Sequence, residues 1–573
     1  METENMKDPI ISERAIDEPR PLKVIYIGAG VSGILAAIQF PKHVPGIELA
    51  IYDKNPDIGG TWFENRYPGC ACDIPAHSYQ LSFESSVDWT SFYATAPEIF
   101  KYWQLVADKY NVRRFMTFRH RCIEARWNEV TSQWHVKLIN LDTGLIIEDS
   151  ADVLMSGVGA LNQWEWPSIK GLHDFKGPLM HSANWDMAFQ PEGKNVAVIG
   201  AGSSGIQIVP ALLPEVKAMD HYVRGRTWIA ASFGSEFVRE RNNGNDGNFD
   251  YTEDEKRAWK EDLASYKKYR KTLEAGVQGV YPAVMKDSEL QAAMRSQFDR
   301  DMRERLKAKP ELAERIVPDF APFCKRLTPG PGYLEALVSP KVNVIHDVIA
   351  SVDETGIITE DGQHRPVDAI VCATGFRSFG GSFPLYGRGG LSLAEYNKDR
   401  PETYLAVCMD RFPNYFQTLG PNSGLGAGNL LMVLESVTLY VAQILRKLAT
   451  GNVKTIEPKR KQVENFTSFC EAYHKRTVFS DKCASWYKSG TTVEERTAGS
   501  VIGVWPGSGV HLIKAYRDVR WEDFEMQPSD GNEFGWFGNG WSVGDLKKDR
   551  EALTWYLNDT KFVHEDLPES KDG

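Results

Sequence analysis

The chain has 573 residues, 42% hydrophobic and 25% charged, the balance of a globular enzyme too long for one ordinary core. A formal net charge of −11 excludes general attraction to nucleic acid, and no apolar run of roughly eighteen residues is present to cross a membrane. The eight cysteines form no spaced framework, and Cys70 and Cys72 fit neither a zinc pair nor a redox CxxC, so a reduced, cytoplasmic setting is expected.

Residues 1–21 lack the apolar stretch of a signal peptide and are expected to be a disordered tail. KVIYIGAGVSGILAAIQF then reads as strand, tight turn and helix, and IELAIYD supplies the next strand of a βαβ unit. This assigns residues 22–165 to the first part of one dinucleotide-binding domain, followed by a linker at 166–190. The same signal returns at NVAVIGAGSSGIQIVPALL and MDHYVRGRTWIA, which marks a second such domain over 191–372. Between about 236 and 314 charged helix formers dominate, and a helical insertion is expected. Its basic run Tyr266–Lys271 reads as a solvated helix face rather than a nucleic-acid site. Residues 373–573 return to the first domain through an apolar helix, NLLMVLESVTLYVAQILRKL, and Trp- and Gly-rich loops. The fold class is α/β: two Rossmann-like dinucleotide-binding domains with a helical insertion in the second.

Gly28, Gly30 and Gly33 give GxGxxG between strand and helix, one glycine each for the turn, for approach to a pyrophosphate and for helix packing. Asp53 ends the next strand, where a carboxylate accepts hydrogen bonds from a ribose diol. Gly200, Gly202 and Gly205, with Ser203 and Ser204 between them, repeat the pattern. Here no carboxylate follows the second strand. Arg224, Arg226 and Thr227 stand there instead, and a cation suits the 2′-phosphate of NADPH. Two such sites imply FAD in one and NADPH in the other, with electrons passing from nicotinamide to flavin.

GGTWFENRYPGCACD (Gly59–Asp73) and FKGPLMHSANWD (Phe175–Asp186) resemble the two long motifs of Baeyer–Villiger monooxygenases. The resemblance implies that Gly60, Thr61, Trp62, Asp73 and Tyr79 contact FAD and that Ala71 and Cys72 lie near the nicotinamide. It places His181 in the interdomain linker, where a hinge role without proton chemistry is expected. FCKRLTPGPGY resembles the family's Lys-Arg pair. Lys325 is then a 2′-phosphate ligand and Arg326 the catalytic cation, with Asp73 its counter-carboxylate. In this scheme reduced flavin and O2 give an anionic C4a-peroxide that attacks a ketone, and Arg326 stabilises the peroxide and the tetrahedral adduct. The product is an ester or lactone.

Cys372–Phe376, CATGF, resembles the family's crossover back to the FAD domain. RSFGGSFPLYGRGGL and SWYKSGTTVEERTAGSV depart from the family pattern; both are expected to line or close the substrate pocket, so no substrate preference carries over from the family. The Trp-rich C-terminal region resembles fungal, secondary-metabolism members. Alternatives are N- or S-oxygenation, for which Arg326 is dispensable, and an NADPH-dependent quinone reductase. The expected partners are a small-molecule ketone and O2, with a monomer as the expected state.

Overall fold

The computed structural model describes residues 11–244, 247–377, 381–548 and 550–557. Runs such as LKVIYI, buried at all but one position, suit parallel strands covered on both faces, and two five-stranded parallel sheets form the framework. In the first, the order is Tyr415–Gln417, Val153–Ser156, Leu22–Ile27, Ile47–Tyr52 and Met116–Thr117. In the second it is Val342–Ile345, Ala218–Tyr222, Asn195–Ile199, Ala369–Cys372 and Leu179–His181. Each glycine turn leaves the central strand of its sheet, the arrangement that binds dinucleotides beyond the carboxyl ends of the strands.

The FKGPLMHSANWD motif supplies the edge strand Leu179–His181, with His181 opposite Cys372. Leu172 and Phe175, ahead of it, are buried in the core of the second sheet. The chain passes between the sheets twice, and the two crossings touch: the Arg377 N–H donates to the Gln163 carbonyl at 2.7 Å. A four-stranded sheet comprising Leu385–Tyr386, His120–Asn128, Gln133–Asn140 and Ile146–Ala151 packs on the first.

Residues 236–314 are mainly helical, with Glu253–Glu261, Leu263–Gly279 and Glu289–Arg305 the longest helices. In the basic run, Lys267 and Lys268 face solvent while Tyr266 is buried. The Tyr266 hydroxyl lies 2.8 Å from His77 Nδ1, and the rings of Tyr251, Trp259, Tyr266 and Tyr269 surround that imidazole. The insertion therefore docks on the loop that leads to Tyr79.

Two expectations are corrected. Residues 11–21 of the tail are packed, not disordered: the Ile16 N–H donates to Trp541 O at 2.8 Å and the Arg20 N–H to Ala449 O at 2.9 Å. Backbone pairing to the C-terminal region, which composition does not reveal, holds them, while residues 1–10 lie outside the described residues. Second, Cys324 and Cys483 are joined in a disulfide, against the expectation of reduced cysteines throughout. They are 159 residues apart, so only the fold brings them together. Among the described residues no helix is long and apolar enough to cross a membrane.

Candidate active site

A cavity of about 1020 Å³ runs between the two glycine turns, at the upper end of the range for small-molecule sites. Gly28, Gly30, Asp53, Gly60, Thr61 and Trp62 line its first-sheet side. Ala71, Tyr79, Ser203 and Ser204 complete the set of expected residues on its wall. Gly33, Cys72, Asp73, Gly200, Gly202, Gly205, Arg226, Thr227, Lys325 and Arg326 do not line it.

The shape of the first turn follows from its glycines. Gly28 has φ +116°, and a Cβ there would meet the Gly157 carbonyl oxygen at 2.5 Å. Gly30 caps the helix Val31–His43, and its Cβ would sit 3.5 Å from Gly60 Cα. Two bare backbone segments thus face each other at a helix N-terminus, a cradle fitted to a pyrophosphate. The Asp53 carboxylate accepts from the Ala29 N–H at 2.6 Å and the Asn55 N–H at 2.7 Å, leaving each oxygen a further lone pair for a diol. Burial pushes its pKa up, with those two amides opposing. Trp62 Nε1 donates to the Tyr79 hydroxyl at 3.1 Å and the rings meet edge to face at 5.5 Å, a rigid wall suited to a flavin ring. These features fit FAD.

The second turn is built alike: a Cβ on Gly205 would lie 2.0 Å from the Gly200 carbonyl oxygen, which seats the helix Ser203–Leu212 against the strand. A Cβ on Gly202 would meet nothing within 4 Å, open space at a helix N-terminus. The motif containing Trp62 reaches this helix. A Cβ on Gly69 would meet Gln207 O at 2.7 Å, and Gln207 is held between the Tyr67 hydroxyl at 2.8 Å and Ala71 O at 3.1 Å. Cys72 donates its N–H to Ala94 O at 3.1 Å, and burial pushes its thiol pKa far up, so it is no nucleophile.

Away from the cavity wall, Lys325 Nζ donates to Arg226 O at 3.0 Å, and Arg226 Nη1 donates to Val317 O at 3.0 Å. Thr227 is half-buried beside them. Burial, and then Arg224, lower the Lys325 pKa from its ordinary value. The cations share one locality, which suits a dianionic 2′-phosphate.

Arg326 pairs with Asp73, Nη2 to Oδ2 at 2.5 Å, and its guanidinium lies 5.5 Å from the Phe233 ring centroid. About a third of its side chain, 32%, remains accessible. Burial opposes its charge, but Asp73, then Tyr487 and Cys72, outweigh burial and raise its pKa. The guanidinium therefore stays protonated at every working pH. The pair sits beside the cavity rather than on its wall: Asp73 is two residues from the lining Ala71, and Tyr487 follows the lining Trp486.

His181 is fully buried and stacks on Trp164, centroids 4.7 Å apart and planes at 13°. Burial, opposed by a backbone hydrogen bond at Gly375, brings its pKa to about 4, so the ring is neutral near pH 7 and holds geometry.

Sequence reasoning missed part of the wall. His120, Arg121, Cys122 and Ile123 open an antiparallel strand that carries no motif. Leu430 and Leu434 enter from the long apolar helix, whereas Trp486 comes from the SWYK segment that was expected to line the pocket. The CATGF crossover did carry a signal, and its Phe376 lines the cavity, as do Gly157, Val158 and Gly159 where the chain leaves the first sheet.

A family model for the NAD(P)-binding Rossmann-like domain matches residues 27–96. The FAD-binding monooxygenase tazF of Aspergillus terreus is 37% identical over 94% of this chain and 95% of its own length. A Baeyer–Villiger monooxygenase of Pseudomonas aeruginosa is 32% identical, over 85% of this chain and 88% of its own. Among solved structures, a cyclohexanone monooxygenase from Rhodococcus sp. Phi1 bound to NADP+ superposes with TM-score 0.76 and 26% identity, covering 89% of this chain and all of that one. An oxidised steroid monooxygenase bound to NADP gives 0.75 and 26%, over 88% of this chain and 99% of its own. With these relatives and the two-turn cavity together, the chain belongs to the Baeyer–Villiger family of FAD- and NADPH-dependent monooxygenases.

Proposed function

We propose that Arg326, oriented by Asp73, is the catalytic cation for inserting one atom of O2 beside a ketone carbonyl. Overall, ketone, O2, NADPH and a proton give ester or lactone, NADP+ and water, so one oxygen enters the product and the other leaves as water. FAD, which the first glycine turn and the Trp62–Tyr79 wall would hold, would supply the redox chemistry that links NADPH to O2. The observation that carries the reading is the Arg326–Asp73 ion pair beside the cavity. A fixed guanidinium supplies several donors to an oxygen that gains negative charge as the carbonyl is attacked. The carboxylate keeps the fork in one orientation and moderates its charge. A panel of ketones, from cyclohexanone to polycyclic and long-chain compounds, tests this under NADPH and air with products identified by mass spectrometry. Absence of any ester or lactone, with sulfide or amine oxides formed instead, would overturn it.

Arg226 and Lys325 are proposed to hold the 2′-phosphate, their shared locality supporting the assignment. Arg226→Ala is expected to weaken NADPH by about 1.5–3 kcal/mol and to leave NADH unchanged, measured as kcat/KM for each. Equal use of both coenzymes by the unmodified enzyme would remove the assignment. Because the Lys325 pKa is lowered, its charge is lost at a lower pH than that of a free lysine. NADP+ affinity should therefore fall as pH rises from about 7 to about 10, and Lys325→Arg should flatten the titration. An equally steep fall in Lys325→Arg would show that another group titrates.

The proposal includes the division into an FAD domain at 22–165 and 373–573, a linker at 166–190 and an NADPH domain at 191–372. The two parallel sheets support it. It also takes the protein to work as a cytoplasmic monomer on a small-molecule ketone.

A further inference from the structure

Two residues before Arg326, the Cys324–Cys483 disulfide joins its segment to a distant loop, with Cα atoms 6.3 Å apart. Both cysteines are buried, at 0% and 3% exposure. Phe323 precedes the bond with φ +71°, a backbone conformation that persists in a bulky residue only when its surroundings hold it. On the other side of the bond, the loop runs on to Trp486, which lines the cavity, and to the buried Tyr487. That loop is also closed on itself. The buried Lys488 ammonium donates to the carbonyls of Asp481, Cys483 at 3.2 Å and Thr497 at 3.4 Å.

Among the described residues Asp73 is the one carboxylate paired with Arg326. That pair aims the fork only as firmly as the backbone carrying it is held. Two features hold that backbone: the bond at Cys324 and the Lys488-braced loop at its other end. We propose that the Cys324–Cys483 disulfide is a positioning element for Arg326, locking the 323–326 segment to the Trp486–Tyr487 side of the cavity. This rests on the catalytic role proposed for Arg326. A displacement of about 1 Å at a reacting group can cost on the order of a hundredfold in rate, so loosening this joint acts on oxygen transfer and not on flavin reduction.

The test uses full-length holoenzyme. Denatured wild type should titrate six thiols before reductant and eight after, and non-reducing peptide mapping should recover the 324–483 link. Eight thiols at the outset would overturn the proposal. In Cys324→Ala/Cys483→Ala, flavin content and the anaerobic rate of flavin reduction by NADPH should stay within about twofold, while ester formed per NADPH consumed falls about tenfold, the remainder appearing as hydrogen peroxide. Unchanged coupling overturns the idea. So does a parallel loss of flavin, reduction and coupling, which marks a general stabilising role. Should the alanine pair not fold, the serine pair, Cys324→Ser/Cys483→Ser, carries the same comparison. If Arg326→Ala itself leaves ester yield intact, the Arg326 role fails and this proposal falls with it. If Arg326→Ala loses ester while the cysteine variant keeps its coupling, this proposal alone falls.

Discussion

Replacing Arg326 by alanine is expected to leave the protein yellow and its flavin reducible by NADPH, while ester formation falls about 100- to 1000-fold. That magnitude is the usual consequence of removing one donor from an oxygen that becomes negative in the transition state. The split between the two half-reactions is the informative part. Reduction needs the hydride donor and the flavin aligned, the task proposed for the glycine turns and the Trp62–Tyr79 wall. Oxygen transfer needs a cation that keeps its charge beside the cavity, and the upward shift at Arg326 indicates that the Asp73 carboxylate outweighs the cost of burial. Anaerobic stopped-flow reduction and product quantification on the same preparation separate the two. A variant that still makes ester at the wild-type yield would leave the cation without a role in the chemistry.

The second large effect is expected at Gly28. Alanine there would place a methyl 2.5 Å from the Gly157 carbonyl oxygen with φ held at +116°. Strain in that conformation is worth roughly 1–3 kcal/mol, and forcing a carbon into packed backbone roughly 1–3 kcal/mol more. Gly28→Ala should therefore emerge from gel filtration without flavin absorbance and with a markedly lower Tm. Gly202→Ala is the matched control, since its Cβ would meet nothing within 4 Å. It should keep Tm and flavin. A yellow Gly28→Ala protein of unchanged Tm would show that the turn adjusts more readily than its geometry implies.

The glycine turns were legible in the sequence because each encodes a local constraint: a strand, a turn no side chain fits, and a helix within about twenty residues. Asp53 was legible for the same reason. Arg326 and Asp73 are 253 residues apart, and only long family motifs flagged both ends before the ion pair was seen. The disulfide had no such flag. Cys324 lies beside the Lys-Arg pair and Cys483 two residues before the SWYK segment, outside any motif, so neither position pointed to the other. His120–Ile123 were invisible for a different reason: backbone at the start of an antiparallel strand lines the cavity through its place in the fold, not through residue type. The docked stretch at 11–21 shows the same limit, because main-chain hydrogen bonds leave no trace in composition.

The contact between Gln163 and Arg377 constrains how the two sheets can move. The outgoing and returning chains are tied to each other there by a single bridge, so sliding one sheet past the other costs that hydrogen bond. Trp164, the residue after Gln163 and part of the cavity wall, stacks on His181 at the edge of the second sheet, so a relative rotation of the sheets must either carry that ring pair along or part it.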